Sequence, residues 1–126
     1  MSDLKHISIS DYKTENGKIN DFSLSYQTFG LPLGKAPIVL VIHALTGNSN
    51  VTGEHGWWNS LIGENKCIDT NDYTILAFNI PGNGFDNKPD NLIENYKDFT
   101  ARDIARIFSQ GLLELNINKL FACIGG

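Results

Sequence analysis

Apolar and polar positions alternate over two stretches near the start of the chain. Residues 5–10 read Lys-His-Ile-Ser-Ile-Ser, and residues 22–27 read Phe-Ser-Leu-Ser-Tyr-Gln. A period of two predicts strands that have one buried face and one face toward water. The dipeptide Asn16-Gly17 between them is a strong turn signal. The N-terminal part is therefore expected to form antiparallel strands.

Beyond Pro37 the apolar pattern becomes continuous. Three short runs, Ile38–Ile42, Thr74–Phe78 and Leu120–Ile124, are apolar without alternation and rich in β-branched residues. Such runs are typical of strands buried on both faces, as in a parallel sheet. Together with the alternating segments they predict an α/β fold in which antiparallel N-terminal strands lead into a mostly parallel sheet.

Helices are predicted between these runs. Residues 57–62 are interpreted as a short helix. A clearer helix begins after Thr100, a good N-cap residue, and Asp103 follows at the position that completes a cap and complements the helix dipole. Its apolar stripe consists of Ile104, Ile107, Phe108 and Leu115. Strands laid down in order would place successive crossovers on one face of the sheet, whereas a reversal of order would place them on opposite faces. The sequence leaves both arrangements open.

Composition narrows the class of protein. The 126 residues suit one domain, and 41% hydrophobic with 19% charged residues is typical of a soluble globular protein. A net charge of -4 with no Lys/Arg cluster argues against a nucleic-acid or anionic-membrane partner. The longest apolar run is far below the ~20 residues of a membrane span. Because the N-terminus also lacks signal-peptide features, a cytoplasmic location is expected.

Two cysteines, Cys67 and Cys123, are too few and too far apart for a metal site or a disulfide framework. Cys123 lies within an apolar run and is expected in the core. Glu54 and His55 are adjacent acidic and imidazole side chains, but two residues do not form a ligand set. The sequence therefore predicts no metal site.

Three loops follow the buried strands, where ligands bind in open α/β sheets. The first is His43-Ala44-Leu45-Thr46-Gly47. Small residues after a buried strand allow a main-chain amide to face an oxygen on which charge develops. Leu45 is the predicted donor, through its backbone N–H. The alternative is a polar loop in which His43 has only a structural role.

The second loop, residues 79–84, contains Gly82-x-Gly84 but has no third glycine, and Pro81 interrupts it. It is interpreted as a turn-rich loop and not as a dinucleotide site. The third is Gly125-Gly126. A glycine pair is compatible with a plain turn or with the beginning of a dinucleotide loop, but its position after the third buried strand favours a nucleophile elbow. No triad can be assembled within the 126 residues, since no serine has the Gly-x-Ser-x-Gly context. Ser49 is read as a loop serine.

With these segments in view, the chain resembles the N-terminal portion of the homoserine O-acetyltransferase family, which has the α/β-hydrolase fold. Several ordered motifs make the resemblance more specific than any single one. The matching segments are Val41–Gly47, Gly56–Trp58, Leu61–Gly63, Asp69-Thr70, Thr100–Asp103 and Leu120–Gly126.

The resemblance implies that residues 1–126 are a partial α/β-hydrolase core that stops just before the catalytic serine, with the Asp and His of the triad later still. The full-length parent would then transfer acetyl from acetyl-CoA, a substrate and not a bound cofactor, through an acyl-serine to the hydroxyl of homoserine, in methionine biosynthesis. The 126-residue chain alone is expected to show no turnover. The complete protein is expected to be a homodimer.

Residues 79–90 depart from the family pattern, which commonly has Gly-Gly-Cys-x-Gly at this point. The acyl donor, acetyl or succinyl, and the acceptor, homoserine or serine, therefore stay open. Alternatives are an α/β-hydrolase esterase, a related O-succinyltransferase and a non-catalytic binding protein. The edge of the last strand would be unpaired in this chain, so further polypeptide or a partner chain is expected to cover it.

Overall fold

A computed structural model describes residues 3–44, 46–85, 87, 89, 92–93 and 95–126. Its elements, in chain order, are β1 (Lys5–Lys13), β2 (Ile19–Gly30), β3 (Ile38–Ile42), β4 (Ile62–Gly63), β5 (Ile68–Asp69), β6 (Thr74–Phe78), a 3-10 turn (Tyr96–Asp98), α1 (Ala101–Glu114) and β7 (Ala122–Gly125).

Five of the strands form one mixed sheet in the order β1-β2-β6-β3-β7. β1 pairs antiparallel with β2, and β2 pairs antiparallel with β6. β3 lies between β6 and β7 and is parallel to both. The expected α/β class, with antiparallel strands leading into a parallel sheet, is confirmed.

The N-terminal hairpin forms as its alternation predicts, and it turns through Gly17 at a φ of 90°, in the left-handed region. One expectation about it is wrong. The polar side of β2 does not face water throughout, because Gln27 is fully buried and Ser25 is partly buried. Both side chains join a polar network described below, which supplies the hydrogen bonds that water would otherwise give.

The strand order decides the question of crossover sides. Because β3 is inserted between β6 and β7, the chain reverses direction across the sheet, and its two crossovers lie on opposite faces. Leu40 and Phe78 lie in the cluster that packs on α1. Val41 and Ala77 lie in the other cluster, which packs on the 51–68 segment. β3 and β6 are thus buried on both sides, as their unalternating sequences predict, whereas β7 is only partly buried and the expectation is wrong for it.

The predicted helix start is confirmed in detail. Thr100 caps α1: its Oγ1 accepts from the Asp103 N–H at 3.1 Å, and the Asp103 carboxylate accepts from the Thr100 N–H at 3.0 Å. Ile107 and Phe108 are buried against the sheet. Gly111 lies where α1 approaches closest, so close that a β-carbon there would stand 2.8 Å from Leu24 and 2.9 Å from Phe78.

Two local expectations are wrong. Residues 57–61 form consecutive turns and Ile62 begins β4, so this segment is not a helix. Short helices are marginal, and here Trp58, Leu61 and Ile62 instead pack on the sheet. Cys123 is exposed and not in the core. It pairs with Leu40 on the α1 side of the sheet, but α1 packs over β2 and β6 and leaves the β7 side open.

Candidate active site

The site predicted from the sequence lies at one edge of the sheet, because β3, β6 and β7 are parallel and their carboxyl ends therefore point the same way. The loops after β3 and β6 meet there, beside Gly126. This is the region in which open α/β sheets bind ligands.

His43 links the first two of these loops. It is the first residue after β3 and is 4% exposed. Its Nδ1 lies 2.7 Å from the Ala44 carbonyl oxygen, and its Nε2 accepts from the Ile80 N–H at 3.0 Å. These contacts assign the proton to Nδ1, since Nε2 must be an acceptor. Burial lowers the pKa of His43, although the contact with the Ala44 carbonyl opposes this shift. The imidazole is therefore a neutral brace between two loops.

Gly47 closes the loop after β3. Its N–H donates to the Ala44 carbonyl at 2.9 Å. A β-carbon on Gly47 would come within 2.8 Å of the His43 β-carbon, so only glycine fits this turn. The predicted oxyanion donor, Leu45, lies outside the described residues. The hydrogen bond from the Gly47 N–H to the Ala44 carbonyl joins described residues on its two sides.

Asn79, the first residue after β6, is 3% exposed and uses its whole carboxamide. Its Oδ1 accepts from the Ser49 N–H at 2.7 Å and from Asn83 Nδ2 at 3.1 Å. Its Nδ2 donates to Ser49 Oγ at 2.9 Å and to Ser25 Oγ at 2.8 Å. Two lone pairs and two protons are thereby satisfied. Asn79 therefore joins β2 and both loops.

Ser49 is fully buried within this network. Its hydroxyl donates to Gln27 Oε1 at 2.7 Å while it accepts from Asn79. Ser49 is therefore a structural residue with both hydroxyl functions occupied. Sequence reasoning missed this network; the available signal was Asn79 itself, a polar residue directly after a buried strand.

The two tryptophans form one wall of the site. Their rings stack at a centroid distance of 5.0 Å with an interplanar angle of 16°. Trp57 Nε1 donates to the Asn48 carbonyl at 2.8 Å, which ties the pair to the loop after β3. A β-carbon built on Gly126 would lie 3.0 Å from the Trp57 ring and 3.4 Å from that of Trp58. Gly126 thus passes directly beneath an aromatic wall.

The loop after β6 is turn-rich, as predicted, with Gly82 and Gly84 both at positive φ. No helix begins at it among the described residues, so it lacks the helix N-terminus that a dinucleotide phosphate site requires. A cavity of about 840 Å³ lies elsewhere: its wall includes Gly30, which pairs with Thr74 at the opposite end of β6.

Within the described part of the chain, no three His, Cys, Asp or Glu side chains are grouped so that they could hold a metal ion. Glu54 and His55 are both exposed, 3.9 Å apart. None of the helices described has the length and apolar character of a membrane span.

Comparison with known proteins decides the family. A family model described as alpha/beta hydrolase fold matches residues 37–126. The chain belongs to the alpha/beta hydrolase fold family. The matched range includes all three parallel strands and both loops of the candidate site.

Among characterised relatives of this alpha/beta hydrolase fold chain, several are named homoserine O-acetyltransferase. The one from Corynebacterium diphtheriae is 37% identical over 134 residues and covers 98% of this chain. The one from Methanococcus vannielii is 34% identical over 131 residues and covers 89% of it. The chain spans only 35% and 26% of those two relatives, respectively.

Solved structures are also similar to this chain over nearly its whole length. Homoserine O-acetyltransferase from Staphylococcus aureus superposes with a TM-score of 0.81 at 30% identity, over 100% of this chain and 39% of its own. Esterase E22 superposes with a TM-score of 0.79 at 24% identity, over 99% and 40%, and supports the fold alone.

Proposed function

We propose that the protein is the N-terminal part of a serine-dependent acyltransferase that moves acetyl from acetyl-CoA to the hydroxyl of homoserine. The observation that supports this proposal best is the relation to proteins named homoserine O-acetyltransferase over nearly the whole chain. The geometry agrees with it, because a buried, braced loop after β3 and an aromatic wall meet beside Gly126, where the resemblance expects the serine to follow.

The proposed reaction has two steps. The serine Oγ attacks the thioester carbonyl carbon; a C–O bond forms, the C–S bond breaks, and coenzyme A leaves as the thiol with the serine proton. The homoserine hydroxyl then attacks the acyl-serine, so that O-acetylhomoserine is released and the serine regains a proton. Both steps pass through a tetrahedral oxyanion. In this proposal the backbone N–H of Leu45 stabilises that oxyanion.

The neutral state of His43 suits such a site. A neutral imidazole accepts the Ile80 N–H and so holds the two loops together. His43 has both ring nitrogens occupied by main-chain groups, so it is not the general base. The proposal therefore requires its base, as well as its nucleophile, from outside residues 1–126.

The test uses the protein as its natural gene encodes it. Thiol release from acetyl-CoA is followed with and without homoserine, and with L-serine and succinyl-CoA as the alternative acceptor and donor. We expect rapid thiol release only when acetyl-CoA and homoserine are both present. Equal release without an acceptor would identify a hydrolase, and absence of release with every pair would overturn the proposal.

A further inference from the structure

The loop after β3 is held by bonds from a neighbouring loop and from β2, in addition to the bonds it makes to itself. One end is fixed where His43 accepts the Ile80 N–H, and the other where the Ser49 N–H meets Asn79 Oδ1 at 2.7 Å. The predicted oxyanion donor belongs to the segment between these two anchors. The described residues at the two ends of that segment, His43 and Ser49, are therefore held to the residues that follow β6 by side-chain hydrogen bonds.

We propose that Asn79 is a positioning residue for acyl transfer, which fixes the loop after β3 through Ser49 and so sets where the oxyanion is bound. This inference rests on the proposed function. Asn79 would not touch the substrate; it acts through the main chain of Ser49 and, through the Ser49 hydroxyl, through Gln27 of β2.

Burial makes this arrangement stiff. Asn79, Ser49 and Gln27 are exposed by 3%, 0% and 0%. A hydrogen bond broken in such a place leaves an unpaired polar group without water to replace it, which is costly. The network therefore has one favourable arrangement, and that arrangement places the two loops in a fixed relation.

The four hydrogen bonds place strict requirements on the side chain at position 79. Asn79 needs two acceptor and two donor functions at once, because Ser49 N–H and Asn83 donate to it while it donates to Ser49 Oγ and Ser25 Oγ. An aspartate would keep the acceptors and lose both donors. An alanine would lose all four bonds and leave the Ser49 N–H without its partner.

Two variants separate positioning from mere stability. Asn79→Ala removes both bonds to Ser49, whereas Ser49→Ala keeps the backbone bond and removes only the hydroxyl. The matched control is Ser10→Ala, the same change at an exposed serine of β1 outside the network. All three are made in the protein as its gene encodes it.

The readout is the rate of acyl-enzyme formation from p-nitrophenyl acetate, divided by the number of reactive serines titrated with a serine-directed phosphonate. We expect Asn79→Ala to lower this rate per titrated serine by ~10²-fold, the scale of a misplaced catalytic group, with KM nearly unchanged. Ser49→Ala should fall between Asn79→Ala and the wild type, and Ser10→Ala should stay near the wild type.

The opposite result is equally clear. If Asn79→Ala loses titratable sites while each remaining site reacts at the wild-type rate, its role is only structural and the inference is wrong. If Asn79→Ala does not fold, Ser49→Ala decides: a wild-type rate per site overturns the inference, and a reduced rate supports it. Acyl-enzyme formation without transfer to homoserine would instead contradict the proposed function and leave this comparison measurable.

Discussion

The hydroxyl of Tyr12 donates a 2.6 Å hydrogen bond to Oδ1 of Asp103, which stands 91 residues further along the chain. The same carboxylate accepts from the Glu15 N–H at 3.1 Å and caps α1 through Thr100. Asp103 is fully buried, so its charge depends on these donors. One side chain thereby joins the N-terminal hairpin to the start of the helix.

Removing the Tyr12 hydroxyl should destabilise the protein. We expect Tyr12→Phe to lower the free energy of unfolding by about 1.5–3 kcal/mol, the range for a hydrogen bond to a charged group. Urea unfolding measures the change. The matched control is Tyr96→Phe, because Tyr96 is 52% exposed. Equal stability of Tyr12→Phe and the wild type would show that the contact contributes nothing.

The same pair predicts an alkaline loss of stability. Burial, and then the hydrogen bond and charge of Asp103, raise the pKa of Tyr12 to about 12. A pKa above the unfolded value of about 10 means that the stabilisation is complete below pH ~10 and is lost as the pH rises toward 12. The free energy of unfolding, measured from pH 9 to 12, should fall in the wild type and should fall less in Tyr12→Phe. This window covers the pH range in which tyrosine side chains ordinarily titrate.

Asp103 predicts that the protein loses stability in acid. Burial raises the pKa of its carboxyl, but hydrogen bonds from Tyr12, Thr100 and Glu15 outweigh burial, so the pKa is lowered overall. A lowered pKa stabilises the fold above the unfolded value of about 3.9, and this contribution is lost as the pH falls through the folded value. In Asp103→Asn, the free energy of unfolding should depend less on pH between pH 2 and 5, a window set by ordinary carboxyl titration. An unchanged pH dependence in this variant would contradict the stabilising role of the Asp103 carboxylate.

Gly111 is predicted to reject a methyl group. Alanine at this place would improve helix propensity by roughly 1 kcal/mol, but its β-carbon would clash with Leu24 and Phe78. Overpacking costs about 1–3 kcal/mol, so Gly111→Ala should be neutral to destabilising by up to about 2 kcal/mol in urea unfolding. Ser109→Ala, on the exposed face, is the control and should be slightly stabilising. A Gly111→Ala variant that is clearly more stable than the wild type would refute the close approach.

His43 should remain neutral in mildly acidic solution. Burial lowers its pKa, so its contribution to stability is complete above the ordinary value of about 6.5 and is lost only as the pH falls further. Nitrogen chemical shifts from NMR should show a protonated Nδ1 and an unprotonated Nε2 at neutral pH, with a midpoint below the ordinary value. A titration midpoint of His43 at or above that value would contradict a buried, neutral imidazole between the two loops.

Much of the fold was predictable because local chemistry fixes it. Ile38–Ile42 and Thr74–Phe78 were predicted with the bounds that the structure has, since short unalternating apolar runs between turn residues are typical of strands buried on both faces. Thr100 and Asp103 identified the helix start, because a capping box depends on residues three apart.

The remainder depends on contacts between distant segments. The position of β3 between β6 and β7 depends on how the strands pair with one another, and the sequence of one strand does not determine that pairing. The exposure of Cys123 follows from where α1 lies, and the burial of Ser49 follows from Asn79 and Gln27. The motif around Leu45 predicts an oxyanion loop after β3, and both the loop's role and its N–H donor stay predictions.

The stacked wall beside Gly126 also makes the site optically distinct. Trp57 and Trp58 are the only two tryptophans of the 126 residues, so all of this segment's indole emission originates next to the candidate site. The 126 residues thus contain an intrinsic fluorophore whose emission wavelength and intensity report on occupancy at the carboxyl ends of the parallel strands, with no label attached.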